Sequence, residues 1–199
     1  MMQHIYEIDG LIPVISEKAF IHETAVIIGD VFIEEGVYIG PLASIRGDFG
    51  RIIIKKNANI QDCCVVHSFP KIDVIVEENG HIGHSAILHG CHVKQNAMVG
   101  MGSVIMDEAV IGENAVIGAA SLVPAKMQIP DNHLAFGNPA KVRRELKKEE
   151  IAWKKDGSQA YTNLAYNCLE NLKKCTPLKE TTMQRETLRC NMHYTPKYS

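Results

Sequence analysis

The feature that most limits how this chain can fold is a six-residue period. Ile15, Ile21, Ile27, Ile33, Ile39 and Ile45 stand on one strict register, and two places before each come Pro13, Ala19, Ala25, Val31, Val37 and Ala43, most of them small. The register then slips by three. It resumes at Ile54, Ile60 and Val66, with Ala58 and Cys64 in the small positions, and restarts after a non-repetitive segment at Ile82 and Leu88. One residue is then dropped, after which Val93, Val99, Ile105, Ile111, Ile117, Val123 and Ile129 run on without a break.

A period of six suits neither a 3.6-residue helix nor simple two-residue alternation. It suits short strands joined by regular corners, with three hexads to a coil and about six coils stacked into a prism. The large aliphatic residue fills the interior, the small one sits where the chain turns, and glycines such as Gly29, Gly40, Gly100, Gly112 and Gly118 ease the tight backbone. A β-sandwich is disfavoured, because its strands keep no common register across turns. The fold class is therefore an all-β main domain, a parallel β-helix whose hand the period leaves open.

That domain spans residues 8–141 and closes with GNPAK, Gly137 to Lys141. Residues 142–175 change to a charged, helical composition. A short helix is expected from Leu146 to Lys155, carrying Trp153. A second follows a Gly157-Ser158 break, with Tyr161, Leu164, Ala165, Cys168 and Leu172 on one face at i, i+3, i+4, i+7 and i+11. Residues 176–199 show no period and are expected to be an extended or poorly ordered tail.

Composition excludes several function classes. The chain has 199 residues and 46% hydrophobic content, enough for a sizeable core without disulfides. The six cysteines form no CxxC pair, and the N-terminus lacks the basic segment and apolar run of a secretory signal, which together read as a reducing cytoplasm. No run of about 18 apolar residues suggests a membrane span. A formal net charge of -2 gives no general attraction to nucleic acid. The expected partners are small molecules and identical chains.

Histidine is in local excess: His81, His84, His89 and His92 fall within twelve residues. The residue after a core aliphatic faces outward, so His67 after Val66 and His89 after Leu88 project from the prism, while His84 lies nearer a corner. Three imidazoles suit Zn2+ with a fourth position left open for water, whose pKa the metal lowers to about 7. A rigid strand-corner-strand path directs His84 and His89 away from each other. A homotrimer resolves this, with His67 and His89 of one subunit meeting His84 of the next.

The segments IRGDFG (Ile45 to Gly50), NIQD (Asn59 to Asp62), VVH (Val65 to His67) and GHSAILHGC (Gly83 to Cys91) together resemble the γ-class carbonic anhydrases of the hexapeptide-repeat family. GLIPV near the start and AWKKDG before the final helix resemble the phenylacetic acid degradation and carnitine operon branch of that family. The resemblance covers about residues 8–145. It implies a left-handed coil and zinc ligation by His67, His84 and His89, although Fe2+ or Co2+ could occupy such a site. It further implies charged contacts of Arg46 and Asp48 with Asp62 at the subunit boundary. Gln61 would hydrogen-bond the metal-bound water or substrate, with Asn59 in support. Tyr161 matches a tyrosine near the site in some relatives and also serves the apolar helix face. The segment Ser68 to Gly80 departs from the family's longer acidic proton-transfer loop, and Glu77 and Glu78 read as a solvated turn.

The leading expectation is thus a zinc enzyme hydrating CO2 to bicarbonate. Three alternatives stand beside it. The first is an acyl-CoA thioesterase of phenylacetate or carnitine metabolism, with a coenzyme groove bordered by the C-terminal helices. The others are a metal-free hexapeptide acyltransferase using histidine as general base, and a trimeric scaffold with structural zinc.

Overall fold

The computed structural model describes residues 4–180. The chain winds a left-handed parallel β-helix of triangular section, followed by one C-terminal helix among the described residues. In the regular part, the first face stacks Val65–His67, Ile87–His89, Val104–Ile105 and Leu122–Val123. The second face stacks Val74–Val76, His92–Val93, Val110–Ile111 and Gln128–Ile129. The third face stacks Asn59–Ile60, His81–Ile82, Met98–Val99 and Val116–Ile117. Two long strands, Val26–Ile33 and Ser44–Ile54, bend from the first face onto the second and join both into one sheet. Ile45, Ile60, Val66, Leu88, Val93, Ile105 and Ile117 are fully buried on the axis, with Ala43, Ala58, Ala86 and Ala97 at the small positions. Each buried isoleucine or leucine contributes about 1.5–3 kcal/mol, and the stack adds these level by level.

The segment expected to be non-repetitive rejoins the helix. Val74 and Val76 are fully buried, and Val76 pairs with Ile54 above and Val93 below. The hexad was hidden by a loop inserted before it. At the opposite end, an antiparallel pair, His133–Gly137 with Ala140–Glu145, closes the third face. Strand thus continues to Glu145, beyond the compositional boundary at residue 141.

One corner column is built from asparagines. Asn57, Asn79, Asn96, Asn114 and Asn132 all take positive φ, between 54° and 59°, a conformation their short amide side chains tolerate. Their amides form a ladder: Asn96 Nδ2 donates to Asn114 Oδ1 at 2.5 Å, and Asn114 Nδ2 to Asn132 Oδ1 at 2.9 Å.

The C-terminal segment corrects one expectation. A single helix, Lys148–Asn171, runs straight through Gly157-Ser158. Glycine in a helix interior costs about 1 kcal/mol, but here small residues are what lets the helix lie against the asparagine corner. Gly157 and Ser158 are buried, and the Ser158 hydroxyl donates to the Asn79 carbonyl at 3.2 Å. Further along, Tyr161, Leu164, Ala165 and Cys168 pack on Phe20 and Tyr38 of the third face, as the helical spacing predicts, whereas Leu172 ends the helix exposed. Residues 176–180 carry no helix or strand. The rest of the expected tail, 181–199, lies outside the described residues.

Candidate active site at one corner of the prism

The breaks in the six-residue register mark a place in the fold. Ile45 to Ile54 spans nine residues, Val66 to Val76 ten, and Leu88 to Val93 five. All three breaks fall on successive levels of the corner between the first and second faces. The two insertions bulge outward and carry Arg46, Asp48, Phe49 and Phe69. Gly50 lets them pack, since a Cβ there would lie 2.8 Å from the Phe69 carbonyl oxygen. Ser68 is buried with its hydroxyl on the Ile72 carbonyl, and the Ile72 N–H donates to the Phe69 carbonyl at 3.2 Å. The shortened turn passes through Gly90 at φ 55°, and its N–H donates to the His67 carbonyl at 3.0 Å. A side chain at Gly90 would also displace the Asp107 carboxylate.

His67 and His89 are register partners on adjacent strands, with ring centroids 5.4 Å apart. Each is held by a carboxylate. His67 Nε2 is 2.8 Å from Asp48 Oδ1, and the other oxygen of Asp48 accepts from Arg46 at 2.7 Å. His89 Nδ1 is 2.7 Å from Asp107 Oδ1. An ionised carboxylate only accepts, so in the neutral rings the proton sits on the nitrogen facing it. His89 therefore presents Nε2 as a free base, and His67 presents Nδ1. Asp107 escaped the sequence reading; it stands one coil beyond His89, so its signal lay in the coil length rather than in a local motif.

His84 stands elsewhere. It occupies the corner between the third and first faces, where Nδ1 is 2.7 Å from Asp62 Oδ2 and both side chains are more than one third exposed. Asp62 is therefore apart, within one subunit, from the Arg46–Asp48–His67 chain. Among the described residues no three His, Cys, Asp or Glu groups of a single subunit gather as a metal site. Two imidazoles with carboxylate-oriented rings at one corner suit zinc chemically, but they are two ligands, and a three-histidine site would need a third from outside this corner. Between the two histidine corners runs the first face, whose outward positions Val65, Ile87, Val104 and Leu122 are all apolar, Val65 and Ile87 being over one third exposed.

Asn59, Gln61 and Tyr161 assemble on the third face and its edge, with His81. Asn59 and Gln61 are buried, and Gln61 Nε2 lies 2.9 Å from both Asn59 Oδ1 and His81 Nε2. Tyr161 meets the His81 ring edge-on at 5.3 Å and Tyr38 at 5.4 Å. Burial, then the nearby Lys154 and His84, push the His81 pKa down to about 3, so the ring is neutral and accepts from the Gln61 amide. Burial, then Asp62, push the Tyr38 phenol up to about 12. Glu77 belongs to neither group. It is 2.7 Å from His92 and accepts from the Gln95 N–H, at the corner between the second and third faces.

Comparison with known proteins agrees with this architecture. The bacterial transferase hexapeptide (six repeats) family model matches residues 90–125. Over 193 residues the chain is 46% identical to carnitine operon protein CaiE of Proteus sp., covering 97% of this chain and 98% of that one. The Escherichia coli K12 protein of the same name is 47% identical over 192 residues, with 96% and 98% covered. Among solved structures, a Bacillus cereus protein provisionally assigned as an acetyltransferase superimposes with a TM-score of 0.82 at 42% identity, covering 83% of this chain and 96% of that one. A hexapeptide transferase family protein from Anaplasma phagocytophilum gives 0.80 at 36% identity, covering 83% and 98%. No described helix is long and apolar enough to cross a membrane.

Proposed function

The chain belongs to the carnitine operon protein CaiE family of hexapeptide-repeat proteins, and from that premise we propose that it is an acyl-transfer enzyme using a thioester donor at a junction between subunits. The observation that carries this reading is the His89–Asp107 pair. Asp107 fixes the tautomer in which Nε2 is an accessible base, as a carboxylate does for a catalytic imidazole. An acceptor hydroxyl or amine gives its proton to Nε2 while its oxygen or nitrogen attacks the thioester carbonyl carbon. The C–S bond then breaks, and the imidazolium returns the proton to the departing thiolate. With water as acceptor the same steps amount to hydrolysis. The Bacillus cereus relative provisionally assigned as an acetyltransferase supports the transfer reading.

The first face supports the reading of a junction. Its apolar outward residues stand between two histidine-bearing corners, and a threefold assembly through this face would set His84 and Asp62 of one subunit against His67 and His89 of the next. The direct test is thiol release from short acyl thioesters, with and without an amine acceptor. His89→Ala is expected to lower kcat about 100-fold or more. An unchanged rate in that variant would overturn the assignment.

One observation favours a second reading. His67 and His89 each commit one ring nitrogen to a carboxylate, the way metal-binding imidazoles are held. Together with His84 of the neighbouring subunit they would hold Zn2+ in a three-histidine site. The ion would supply hydroxide near neutral pH for CO2 hydration or thioester hydrolysis. Exhaustive chelation separates the two readings: general-base transfer keeps its rate, and zinc-dependent turnover loses it.

A further inference from the structure

Two exposed phenylalanines extend the histidine pair into a continuous row of rings. Phe49 is 5.4 Å from His67 and Phe69 is 5.0 Å from His89, while the two imidazoles are 5.4 Å apart. Phe49 is 60% and Phe69 53% exposed, so much of each ring faces water at the corner where the register breaks. Neither side chain is carried on a loose segment. Phe49 lies within the long strand Ser44–Ile54. Phe69 follows the buried Ser68, on a turn closed by the Ser68 hydroxyl and the Ile72 N–H and packed against Gly50. Leaving a phenylalanine in water forgoes about 1.5–3 kcal/mol of burial. Two such rings, rigidly presented at either end of the imidazole pair that includes the His89 base, make a preformed apolar surface.

We infer that Phe49 and Phe69 bind the apolar body of the acyl group, so that the site selects acyl chains longer than acetyl. The inference rests on the acyl-transfer reading above. If the thioester carbonyl carbon sits where an acceptor bonded to His89 Nε2 can attack, the acyl chain begins within one ring-width of that imidazole. The Phe69 ring centroid lies 5.0 Å from the imidazole, so the ring touches the space beside that base, and a chain longer than acetyl covers more of the two exposed rings than a methyl group can. The polar side of the site, formed by Asp48, Arg46 and Asp107, is left for the acceptor and the leaving thiol.

The experiment compares wild type with Phe49→Ser/Phe69→Ser, with folding of each checked by circular dichroism and assembly by light scattering. Turnover of hexanoyl and acetyl thioesters is measured, and free hexanoate and acetate are titrated against the imidazole signals of His67 and His89 by NMR. The inference expects the hexanoyl-to-acetyl ratio of kcat/KM to fall at least tenfold through a rise in the hexanoyl KM. It also expects the hexanoate shifts seen in wild type to weaken at least tenfold. An unchanged ratio with unchanged hexanoate binding overturns it. So does a variant that falls apart into monomers, because the rings would then be an intersubunit contact. If neither thioester turns over in wild type but hexanoate binding is lost with the two rings, the acyl-transfer reading fails while the apolar surface stands.

Discussion

Lys154 Nζ lies 2.6 Å from Asn96 Oδ1, although 58 residues separate them, and 3.1 Å from the Asn79 carbonyl oxygen. The side chain is 2% exposed and docks the C-terminal helix onto the end of the asparagine ladder. Burial, then the neighbouring Lys155, push its pKa down to about 6. A neutral amine has two N–H groups, and the site offers two acceptors to match them.

Stability should therefore climb with pH. Between about 6 and the ordinary lysine value of 10.5, the unfolded chain binds a proton at Lys154 that the folded chain does not. Folding thus gains as pH rises through that window, and below it the penalty is complete. His81 acts in the same direction between about 3 and 6.5. Urea unfolding from pH 5 to pH 10 is the measurement. Lys154→Gln keeps a donor for Asn96 and removes the titration, so it should flatten the curve above pH 6. A variant curve parallel to wild type would show that Lys154 stays charged in the fold.

Adjacent cysteines should differ sharply in reactivity. Cys63 is exposed at a corner, while Cys64 is fully buried in the small position of its hexad. The thiolate is the reactive form, and burial pushes the Cys64 thiol up to about 11 and the Cys91 thiol up to about 12. Iodoacetamide at pH 8 followed by peptide mapping should find Cys63 and Cys175 alkylated in the native protein and Cys64 and Cys91 protected until denaturant is added. Labelling of Cys64 at the rate of Cys63 would mean that the coil opens far more readily than its packing allows.

Two glycines of one corner, Gly100 and Gly102, should respond differently to the same substitution. A Cβ on Gly100 would lie 2.5 Å from the Ala119 nitrogen and 2.7 Å from the Ile117 carbonyl oxygen, both backbone atoms of the next coil. Ladder hydrogen bonds prevent that coil from backing away, so Gly100→Ala should cost about 2–3 kcal/mol. Gly102 has φ 65°, and a methyl group added there would meet nothing within 4 Å. Leu42, Cys63, Ser85 and Ala120 already take similar angles in the same column, so Gly102→Ala should cost about 1 kcal/mol. Equal losses in urea unfolding would show that backbone strain, not coil spacing, governs these corners.

The scaffold was legible because the buried aliphatic residues of the coil repeat one local rule, and the solenoid's neighbour-to-neighbour stacking makes local rules global. Val74 and Val76 were missed for the same reason: an insertion moved them off the running count, and periodicity treats an insertion as noise. The displaced residues prove to be the informative ones, since they carry Asp48, Phe49 and Phe69 to the histidine pair. Gly157-Ser158 was misread as a break because local propensity sees the missing side chain and not the corner it packs against. The outward projection of His67 and His89 could be read directly from register. Their carboxylate partners could not all be found that way, because Asp107 reaches His89 across one coil.

Whether His84 completes the site from a neighbouring subunit can be tested without any structure. Within one chain, His84 and His89 sit at opposite edges of the first face, so a site needing both must draw them from two copies. His84→Ala and His89→Ala homotrimers should each be nearly inactive. After the two are mixed in equal amounts, dissociated and reassembled, about a quarter of the junctions receive an intact His89 from one side and an intact His84 from the other under random cyclic assortment. Thioester turnover should accordingly return to about a quarter of wild type. Two variants that are each inactive for a reason internal to their own subunit would give no recovery on mixing, and the shared junction would then be wrong. An Ile87→Glu substitution on the face between the corners provides the complementary measurement: placing a charge among apolar neighbours should shift the assembly toward monomers in sedimentation and abolish turnover with it.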